Sequence, residues 1–543
     1  MGLLFYLPLA RLNWIMRSTV VLALFLIATG ASAGTDWLGA GKDWWAHVRF
    51  LASDELEGRQ VGTKGYNTAA GYVVRQFKRA GLAPGAGSSY SQPVEFIQTT
   101  LDEPGSNLSL VRDGKAIPVK LGDEAFLRWA SKPIPDVDAP LVFAGYGLDI
   151  PEAGYSDLNE SNLRGAVVVY LAGGPANIPG NLRSHYSSTE ERTKALKAAG
   201  AVGSINILNP RSMEVPWARY SANRLQARMS LADPAFSEGG ASFAATWNPA
   251  KADQLFEGSG HSIGEILDAA DHNRPLPHFA LTSKVRAHVA TTSEKVRSQN
   301  VVGLRPGLDP QLKNEFVILS AHLDHLGVGK PVNGDAIFNG AMDDASGIAS
   351  IIEIARTLQT RNVQTKRSIL FLAVTGEEEG ELGSQYFAER PTVRGRMVAD
   401  INMDMFLPLF PLHYLEVQGL NESTLGDDIR AVSSAANVEV QADKEPDANR
   451  FIRSDQYSFI KMGVPALAFK FGWIPGSPEE KIFKDWLSTR YHGVSDDASQ
   501  PVDLAAAAQF NSILAALLER VADAPQAPEW KPDSFFRRFV PAH

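Results

Sequence analysis

The chain has 543 residues, a formal net charge of −9 and no cysteine. This length exceeds what one ordinary hydrophobic core supports, so two or more domains are expected. Hydrophobic residues make up 44% of the chain and charged residues 21%, which is typical of a folded protein and excludes a largely disordered one. Because binding to nucleic acid requires a basic surface, the acidic balance argues against a nucleic-acid partner.

Residues 1–33 have the pattern of a secretion signal. Two arginines precede the apolar run at 20–30, and small residues follow that run just before Gly34. Met16 would also start a complete signal. The alternative is an uncleaved membrane anchor, but the run is shorter than the ~20 residues that a spanning helix needs. We therefore expect an exported protein, periplasmic or extracellular, with no stable membrane insertion after signal cleavage; the absence of cysteine fits this expectation.

After the signal, the chain is predicted to begin with helices. Apolar residues recur at helical spacing between Ala70 and Phe77, and Gly81 is placed to cap the end. We assign residues 34–104 to the N-terminal helical part of a catalytic domain. From 105 to 290 short strands and turns predominate, which predicts an inserted, strand-rich domain.

Strands and helices alternate over residues 291–525. The segment EFVILSA at 315–321 is a continuous apolar strand, as a sheet buried on both faces requires, and residues 345–359 form an amphipathic helix. This alternation predicts a three-layer α/β sandwich with a mainly parallel sheet. The tail at 526–543 is broken by prolines and is predicted to be irregular.

Five side chains of metal-binding types each stand where a short apolar strand is predicted to end: His322, Asp343, Glu378, Asp404 and His492. Two histidines and three carboxylates can hold two zinc ions that share one bridging carboxylate. In open parallel sheets, ligands gather beyond the carboxyl ends of the strands. The pattern therefore predicts a two-metal hydrolase.

Each of these residues also has a simpler interpretation. Asp343 could cap a helix, Glu378 lies in a run of three glutamates that could be solvated, and His492 alone is typical of a loop. Asp404 lies in an apolar segment, where a carboxylate is costly to bury unless it is paired or bound to a cation. Five such residues in order are far less expected by chance than any one of them.

His322 and Asp324 form a His-x-Asp pair at the end of a predicted strand. Residues two apart in a strand face the same way, so the Asp324 carboxylate is predicted to hydrogen-bond to the imidazole and fix its tautomer. His325 has no such placement and is predicted to be structural.

A competing motif at Gly260–Gly264 matches the G-x-S-x-G nucleophile elbow. The elbow requires a strand before it and a helix after it. Here the preceding residues are helical or loop in character, and Ser262 with Glu265 fits a capping box. We therefore expect no serine nucleophile at this position.

Residues 315–497 resemble the co-catalytic di-zinc exopeptidases of metallopeptidase family twenty-eight. The resemblance rests on the strings SAHLDHLG, NGAMDDASG, GEEEGELGS, INMD, RSDQYSFIKMGVPALAF and YHGVSDD. Residues 50–85 resemble the N-terminal helical segment of the bacterial secreted members. More loosely, residues 105–290 resemble the protease-associated domain that is inserted between these parts.

The resemblance implies a zinc-dependent metallopeptidase with two zinc ions per chain. His322, Asp343 and Asp404 would bind one ion. His492, Glu378 and the same Asp343 would bind the other.

It also implies the catalytic roles. Glu377 would be the general base that takes a proton from a water shared by the two ions. Asp324 would be the partner of His322, and Tyr491 would stabilise the oxyanion. The peptide bond between Asp343 and Asp344 is expected to be cis.

The leading hypothesis is an aminopeptidase that hydrolyses N-terminal residues from peptides. A carboxypeptidase stays open, because Arg453 could bind a substrate carboxylate whereas Asp455 could bind a free amine. A glutaminyl-cyclase-like transferase would hold one zinc ion. A transferrin-receptor-like binding protein would lack ligands, and none is missing in this sequence.

Overall fold

The computed structural model describes residues 36–541, apart from 130–131, 160–162, 214, 237–241 and 449. The predicted signal segment at 1–33 lies outside the described residues. The chain from Trp37 onward forms one compact unit, to which all the elements below belong.

The strands fall into two large sheets and two short hairpins. In chain order they are β1 Ala83–Pro84, β2 Ser91–Leu101, β3 Asn107–Arg112, β4 Lys115–Pro118, β5 Ala125–Arg128, β6 Val137–Ala144, β7 Asp149–Ile150, β8 Tyr155–Ser156, β9 Val167–Leu171, β10 Gly203–Ile207, β11 Arg228–Leu231, β12 Phe243–Trp247, β13 His278–His288, β14 Thr291–Arg305, β15 Glu315–His322, β16 Gly327–Val332, β17 Asp335–Phe338, β18 Ser368–Val374, β19 Arg396–Asn402, β20 Tyr414–Gln418, β21 Glu439–Ala442 and β22 Ala466–Phe471.

The α-helices are α1 Trp37–Leu51, α2 Lys64–Arg79, α3 Gly180–Ser187, α4 Thr189–Ala198, α5 Trp217–Ala222, α6 Asp253–Phe256, α7 Ile263–Asp271, α8 Ser346–Thr360, α9 Leu382–Glu389, α10 Leu425–Ala435, α11 Gln456–Lys461, α12 Pro478–Thr489 and α13 Leu504–Asp523. Short 3-10 turns supplement them, and one of these turns, Phe535–Phe539, lies in the tail that was predicted to be irregular.

The larger sheet follows the order β11-β2-β14-β18-β15-β19-β22-β20-β21, with β1 beside β14. Its central strands β18, β15, β19 and β22 are parallel to one another. On either side, β14 and β20 join them antiparallel. The predicted α/β sandwich is confirmed, with the parallel pairing concentrated at the centre of the sheet. The carboxyl ends of the central strands meet at one edge, which is where ligands gather in such sheets.

Helices cover both faces of this sheet. Val317 and Leu319 of β15 pack with residues of α1, α2, α8 and α13 in one core cluster. The intervening Ile318 packs with Phe387 of α9 and Phe459 of α11 in another. Because side chains alternate between the two faces of a strand, a strand covered on both faces must be apolar throughout, and β15 is.

The larger sheet and the helices on its two faces form the part predicted to be catalytic, called the catalytic layer below. The N-terminal helices belong to it. The Trp44 indole N–H of α1 lies 3.1 Å from the Ser346 carbonyl oxygen and 3.0 Å from Ser350 Oγ, both in α8. In α2, Val73 and Phe77 are fully buried. The helix predicted between Ala70 and Phe77 is confirmed as part of α2.

Strands between residues 107 and 288 form the second sheet, in the order β4-β3-β13-β6-β9-β10-β12-β5. This sheet has its own hydrophobic cluster. Strand β11 lies in the same stretch of the chain but does not join the second sheet. It pairs with β2 of the larger sheet instead. The proposed boundaries of an inserted domain at 105 and 290 stay a prediction.

Within the described residues, helix α13 is long and apolar enough to cross a membrane by length and composition. No such segment was expected from the sequence after the signal. Leu514, Leu517 and Leu518 of this helix are fully buried against the catalytic layer. We therefore interpret α13 as a core helix of the sandwich.

Candidate metal centre

Three of the predicted metal ligands follow neighbouring central strands. His322 is the last residue of β15, Glu378 follows β18 and Asp404 follows β19. Because these strands are adjacent and parallel, the three side chains reach the same edge of the sheet. The strand-end prediction is confirmed for these three residues.

The strand-end prediction is wrong for the other two. Asp343 lies in a π-helical turn, Ala341–Ala345, that runs directly into α8. His492 follows helix α12 rather than a strand. The preceding segment is helical because Ser477 caps it and Pro478 occupies its first turn, and both features favour a helix. Both residues nevertheless reach the same site.

Asp343 lies between the two histidines. Its Oδ1 is 3.1 Å from Nε2 of His322, and its Oδ2 is 3.3 Å from Nε2 of His492. Nε2 of His492 is also 3.1 Å from Oε2 of Glu378, and Nε2 of His322 is 3.7 Å from Oδ1 of Asp404. The five side chains thus form two groups that share the Asp343 carboxylate, as expected for a bridging ligand.

Several atoms of these groups lack a hydrogen bond of normal geometry among the described residues, although they are buried. They are His322 Nε2, Asp343 Oδ2, Glu378 Oε1 and Asp404 Oδ1. Each unpartnered buried polar atom costs about 1–3 kcal/mol, and more when it is charged. Imidazole nitrogen and carboxylate oxygen are the donors that zinc binds in proteins, so the residues present fit zinc ions.

His325 also enters this site, which was not predicted from the sequence. Its Nδ1 lies 2.6 Å from Oε1 of Glu378 and 3.9 Å from Oδ2 of Asp343. That His325 is structural stays a prediction, although its imidazole contacts a predicted metal ligand. The residue lies in a turn beyond the end of β15, where strand periodicity no longer indicates the direction of a side chain.

Asp344 is a second unforeseen neighbour of the site. Its donor atoms lie within 4.8 Å of those of His322 and Asp404. Its Oδ1 accepts the N–H of Gly347 at 2.9 Å, which satisfies a donor in the first turn of α8. The Asp343–Asp344 peptide bond is cis, as predicted.

The imidazoles and carboxylates shift one another's pKa values. Burial lowers the pKa of His492, but the charges of Glu378 and Asp343 outweigh it and raise that pKa to about 10. Burial raises the pKa of Glu378, whereas His492 and His325 bring it down to about 2. A metal ion needs neutral imidazole, so its binding must displace the proton from His492.

The imidazole of His322 is oriented by backbone. Its Nδ1 lies 3.0 Å from the carbonyl oxygen of Asp324. The Asp324 carboxylate instead accepts the backbone N–H groups of Glu377 at 3.2 Å and Glu378 at 3.4 Å. The predicted carboxylate–imidazole bond is thus replaced by a carbonyl–imidazole bond, because the strand ends at His322. This bond still directs Nε2 toward the metal site.

Arg59 is a structural residue of the site that sequence reasoning missed. Its guanidinium is fully buried. It donates to four carbonyl oxygens, those of Leu51, Leu323, Asn339 and Gly340, at 2.5–2.9 Å. Two of the loops that it joins lead to His322 and Asp343. No periodicity in the sequence marks an arginine for such a role.

Asp496 was also missed, although it lies in the string that carries His492. Its carboxylate accepts the backbone N–H groups of Met342 at 3.0 Å and Asp343 at 3.1 Å. Gly340, just before this turn, has φ +59°, and a Cβ there would lie 2.2 Å from the Asp343 carbonyl oxygen. The turn therefore needs both the acceptor and the glycine.

A cavity of about 280 Å³ opens beside the metal centre. Besides predicted ligands, its wall includes Glu377, Gly380, Glu381, Met405, Arg453 and Tyr491. Burial raises the pKa of Glu377. The charge of His322 opposes this rise, and the charge of Asp404 adds to it. A carboxyl group with a raised pKa on the cavity wall is suited to accept and return a proton.

Two residues from the stretch of chain between β10 and β12 contact residues beside the metal centre. Arg219 of α5 donates from Nη1 to the Tyr491 carbonyl oxygen at 3.3 Å. The N–H of Met229 in β11 donates to the Glu379 carboxylate at 2.9 Å. The ring centroid of Tyr491 lies 4.0 Å from that of His492. The backbone of Tyr491 is thus bonded to α5, and its ring lies beside the imidazole of a predicted metal ligand.

Asp455, considered above for binding a free amine, is fully buried. Both of its carboxylate oxygens lack hydrogen-bond partners in the described part of the chain, and burial raises its pKa to about 7. The acidic side chain that lines the cavity without a predicted role is instead Glu381.

The structure excludes a nucleophile elbow at Ser262. Ser262 Oγ accepts the N–H of Glu265 at 3.2 Å, and Glu265 Oε2 accepts the N–H of Ser262 at 3.1 Å. The segment before it contains helix α6 rather than a strand. The predicted capping box is confirmed.

Sequence comparison connects the catalytic layer to known proteins. Residues 300–518 match the sequence model of Peptidase family M28. Aminopeptidase Y of Saccharomyces cerevisiae is 26% identical over 228 residues, which are 41% of this chain and 37% of that protein. A probable zinc metalloprotease of Pyricularia oryzae is 37% identical over 106 residues, 19% of this chain and 20% of that protein. The chain thus spans well under half the length of these relatives.

Structural comparison supports the fold. An aminopeptidase from Aneurinibacillus sp. strain AM-1 superposes with a TM-score of 0.54 at 20% sequence identity. The superposition covers 90% of this chain and 95% of the other. The likeness extends over both large sheets and is evidence for the architecture alone.

Proposed function

We propose that the protein is a zinc-dependent aminopeptidase that removes N-terminal residues from peptides, because residues 300–518 match the sequence model of Peptidase family M28. The observation that carries the proposal is the Asp343 carboxylate, with one oxygen near the Nε2 of His322 and the other near that of His492. We propose two zinc ions per chain. One would be held by His322, Asp404 and Asp343, and the other by His492, Glu378 and Asp343.

When bound, the ions would supply Lewis acidity toward the scissile carbonyl and the attacking water. Glu377 takes a proton from that water and delivers it to the leaving amine. The backbone N–H of Glu377 is held by Asp324, which keeps this carboxyl group at the cavity. Tyr491, on the same wall, donates to the developing oxyanion.

Removal from the N-terminus rather than the C-terminus is supported by the charge of the cavity wall. Glu381 adds a carboxyl group to those of the predicted ligands, and burial raises its pKa to about 8. A substrate ammonium group beside Glu381 would favour the charged carboxylate. Arg453 adds a guanidinium group to the same wall, and it keeps a carboxypeptidase as the competing proposal.

The experiment compares two substrates that differ only at the amine. A free aminoacyl-nitroanilide should be hydrolysed, and its N-acetylated counterpart should not. Equal hydrolysis of both, or release of residues from the C-terminus of a peptide, would contradict the aminopeptidase while leaving the metal centre in place. Cyclisation of an N-terminal glutamine with one zinc ion per chain would support the glutaminyl-cyclase-like alternative.

We also propose export. It is supported by the charged, apolar and small-residue pattern of 1–33. Mass spectrometry of the protein recovered outside the cytoplasm should give an N-terminus at Gly34. A chain that keeps these residues would contradict the proposed cleavage.

A further inference from the structure

A narrow side pocket of about 60 Å³ adjoins the metal cavity. Four residues line both spaces, namely Asp404, Met405, Arg453 and Tyr491. Because the two spaces share this wall, the first residue of a peptide bound at the metal centre can extend its side chain into the pocket. The chemistry of the pocket should therefore decide which N-terminal residues are removed.

The pocket contains a buried ammonium group. Lys470, at the end of β22, is 8% exposed, and its Nζ donates to the Asp404 carbonyl oxygen at 3.0 Å. An ammonium group has three N–H donors, and in the described part of the chain this bond is its only one. No carboxylate there lies within ion-pair distance of Nζ.

Neighbouring groups do not replace the missing counterion. Glu416 lies opposite Lys470 across the β20–β22 pair, but its carboxylate is 3.5 Å from Nζ of Lys444. Burial also raises the pKa of Glu416 to about 7. Gln418 lies two residues after Glu416 on the same face of β20, and it lines the pocket. Its buried Nε2 has no hydrogen-bond partner among the described residues. The pocket thus has unused donors from two side chains.

The charge and the size of the pocket point to the same ligand. Arg450 and Arg453 also line it, and Phe483 and Leu487 form its apolar side. A group the size of a water molecule needs about 10–15 Å³ of cavity volume, so the side pocket of about 60 Å³ admits about four to six non-hydrogen atoms. That matches a short chain ending in a carboxylate and excludes an indole ring. Among the described residues of the wall, the only acid is Asp404, which is assigned to a metal ion.

We propose that this pocket receives the side chain of the N-terminal residue and selects aspartate and glutamate, with Lys470 and Gln418 as the specificity-determining residues. The inference rests on the proposed aminopeptidase function. A substrate carboxylate would give Lys470 its counterion and would accept hydrogen bonds in a place where water is largely excluded.

The first test uses the wild-type protein loaded with zinc and a series of peptides with identical sequences after the first residue. Peptides beginning with glutamate, glutamine, leucine and lysine separate charge from shape. We expect kcat/KM for glutamate to exceed that for its isostere glutamine by about 10- to 100-fold. Lysine should be the poorest of the four.

The second test is Lys470→Met, which keeps the aliphatic stem but removes the charge. The glutamate-to-glutamine ratio of kcat/KM should fall toward one. The matched control is Lys481→Met, because this exposed lysine pairs with Asp485 on the surface of α12, and its ratio should stay that of the wild type. If Lys470→Met does not fold, the same ratio of kcat/KM is measured for Gln418→Leu, where it should also fall. The wild-type peptide series tests the pocket assignment without any variant.

The outcomes separate the two proposals. Hydrolysis of the leucine peptide equal to or faster than that of the glutamate peptide would overturn the pocket assignment and leave the aminopeptidase intact. The pocket assignment is overturned in the same way if Lys470→Met lowers kcat/KM equally for all four peptides. If the wild type cleaves none of them, or cleaves only peptides with a free C-terminal carboxylate, the proposed function fails first and the pocket assignment with it.

Discussion

Glu377 and Glu378 are adjacent in the chain, yet their surroundings give them different chemistry. Burial raises the pKa of both, but neighbouring carboxylates reinforce the effect at Glu377, whereas His492 and His325 reverse it at Glu378. Two carboxyl groups whose surroundings separate their pKa values are suited to different roles, one as a proton acceptor and the other as a permanent anion. This difference underlies the assignment of base and ligand.

Glu377→Gln should keep its zinc and lose activity. Removing a general base alone lowers the rate by about 10²–10⁴-fold, and the amide retains the shape of the side chain. The matched variant is Glu378→Gln, which should lose zinc as well as activity. Metal analysis and turnover of both proteins check the pair. Near-normal turnover of Glu377→Gln, or loss of its metal, would reverse the assignment.

Arg59→Met should destabilise the protein and weaken zinc binding together. The substitution leaves four buried carbonyl groups without their donor, and each buried acceptor left without a partner costs about 1–3 kcal/mol. Chemical unfolding and zinc titration measure the two effects. Arg297→Met, at an exposed arginine, is the control and should change neither.

At the scale of elements, the sequence predicts regular structure better than it predicts loops. The apolar strands β15 and β18 and the amphipathic helix α8 were predictable because periodicity and burial determine them. The positions of His325 and Asp496 were not, because both lie in turns whose path depends on contacts distant in sequence. The same reason explains why Asp343 and His492 were assigned to strand ends although one begins a helix and the other follows one.

Helix α7 gives a direct test of the competing nucleophile. Ser262→Ala removes one half of the capping box and should lower the free energy of unfolding by about 0.5–2 kcal/mol. Peptide hydrolysis should be unaffected, because Ser262 caps a helix in the second sheet region. Abolished turnover in a folded Ser262→Ala protein would restore the serine-hydrolase interpretation.

At the scale of the whole molecule, the stretch that carries the second sheet is joined to the catalytic layer by polar contacts. His185 of α3 is buried, and its Nδ1 lies 2.7 Å from the hydroxyl oxygen of Tyr457 in α11. Arg219 reaches the carbonyl of Tyr491 from the same stretch. We expect this stretch to influence access to the cavity without supplying a catalytic residue.

The His185 contact should make stability depend on pH. Burial lowers the pKa of His185 below its usual 6.5, so the folded protein favours neutral imidazole, which accepts the Tyr457 hydroxyl. The contribution is present above the unfolded pKa of about 6.5 and is lost as the pH falls from there toward the folded pKa.

His185→Phe should remove this part of the pH dependence and cost about 1–3 kcal/mol at neutral pH, because the Tyr457 hydroxyl loses its partner. Unfolding measured between pH 5 and pH 8 checks both effects. His272→Phe, at an exposed histidine, should retain the wild-type slope. An unchanged slope in His185→Phe would assign the dependence to other groups.

The central claim is a peptidase whose activity depends on two zinc ions that share Asp343. Zinc should be removed with a chelator and returned stepwise while the hydrolysis of a peptide with a free N-terminus is measured. We predict no hydrolysis without zinc and a rate that reaches its plateau at two ions per chain. Full activity in the zinc-free protein, or a plateau at one ion, would contradict this claim.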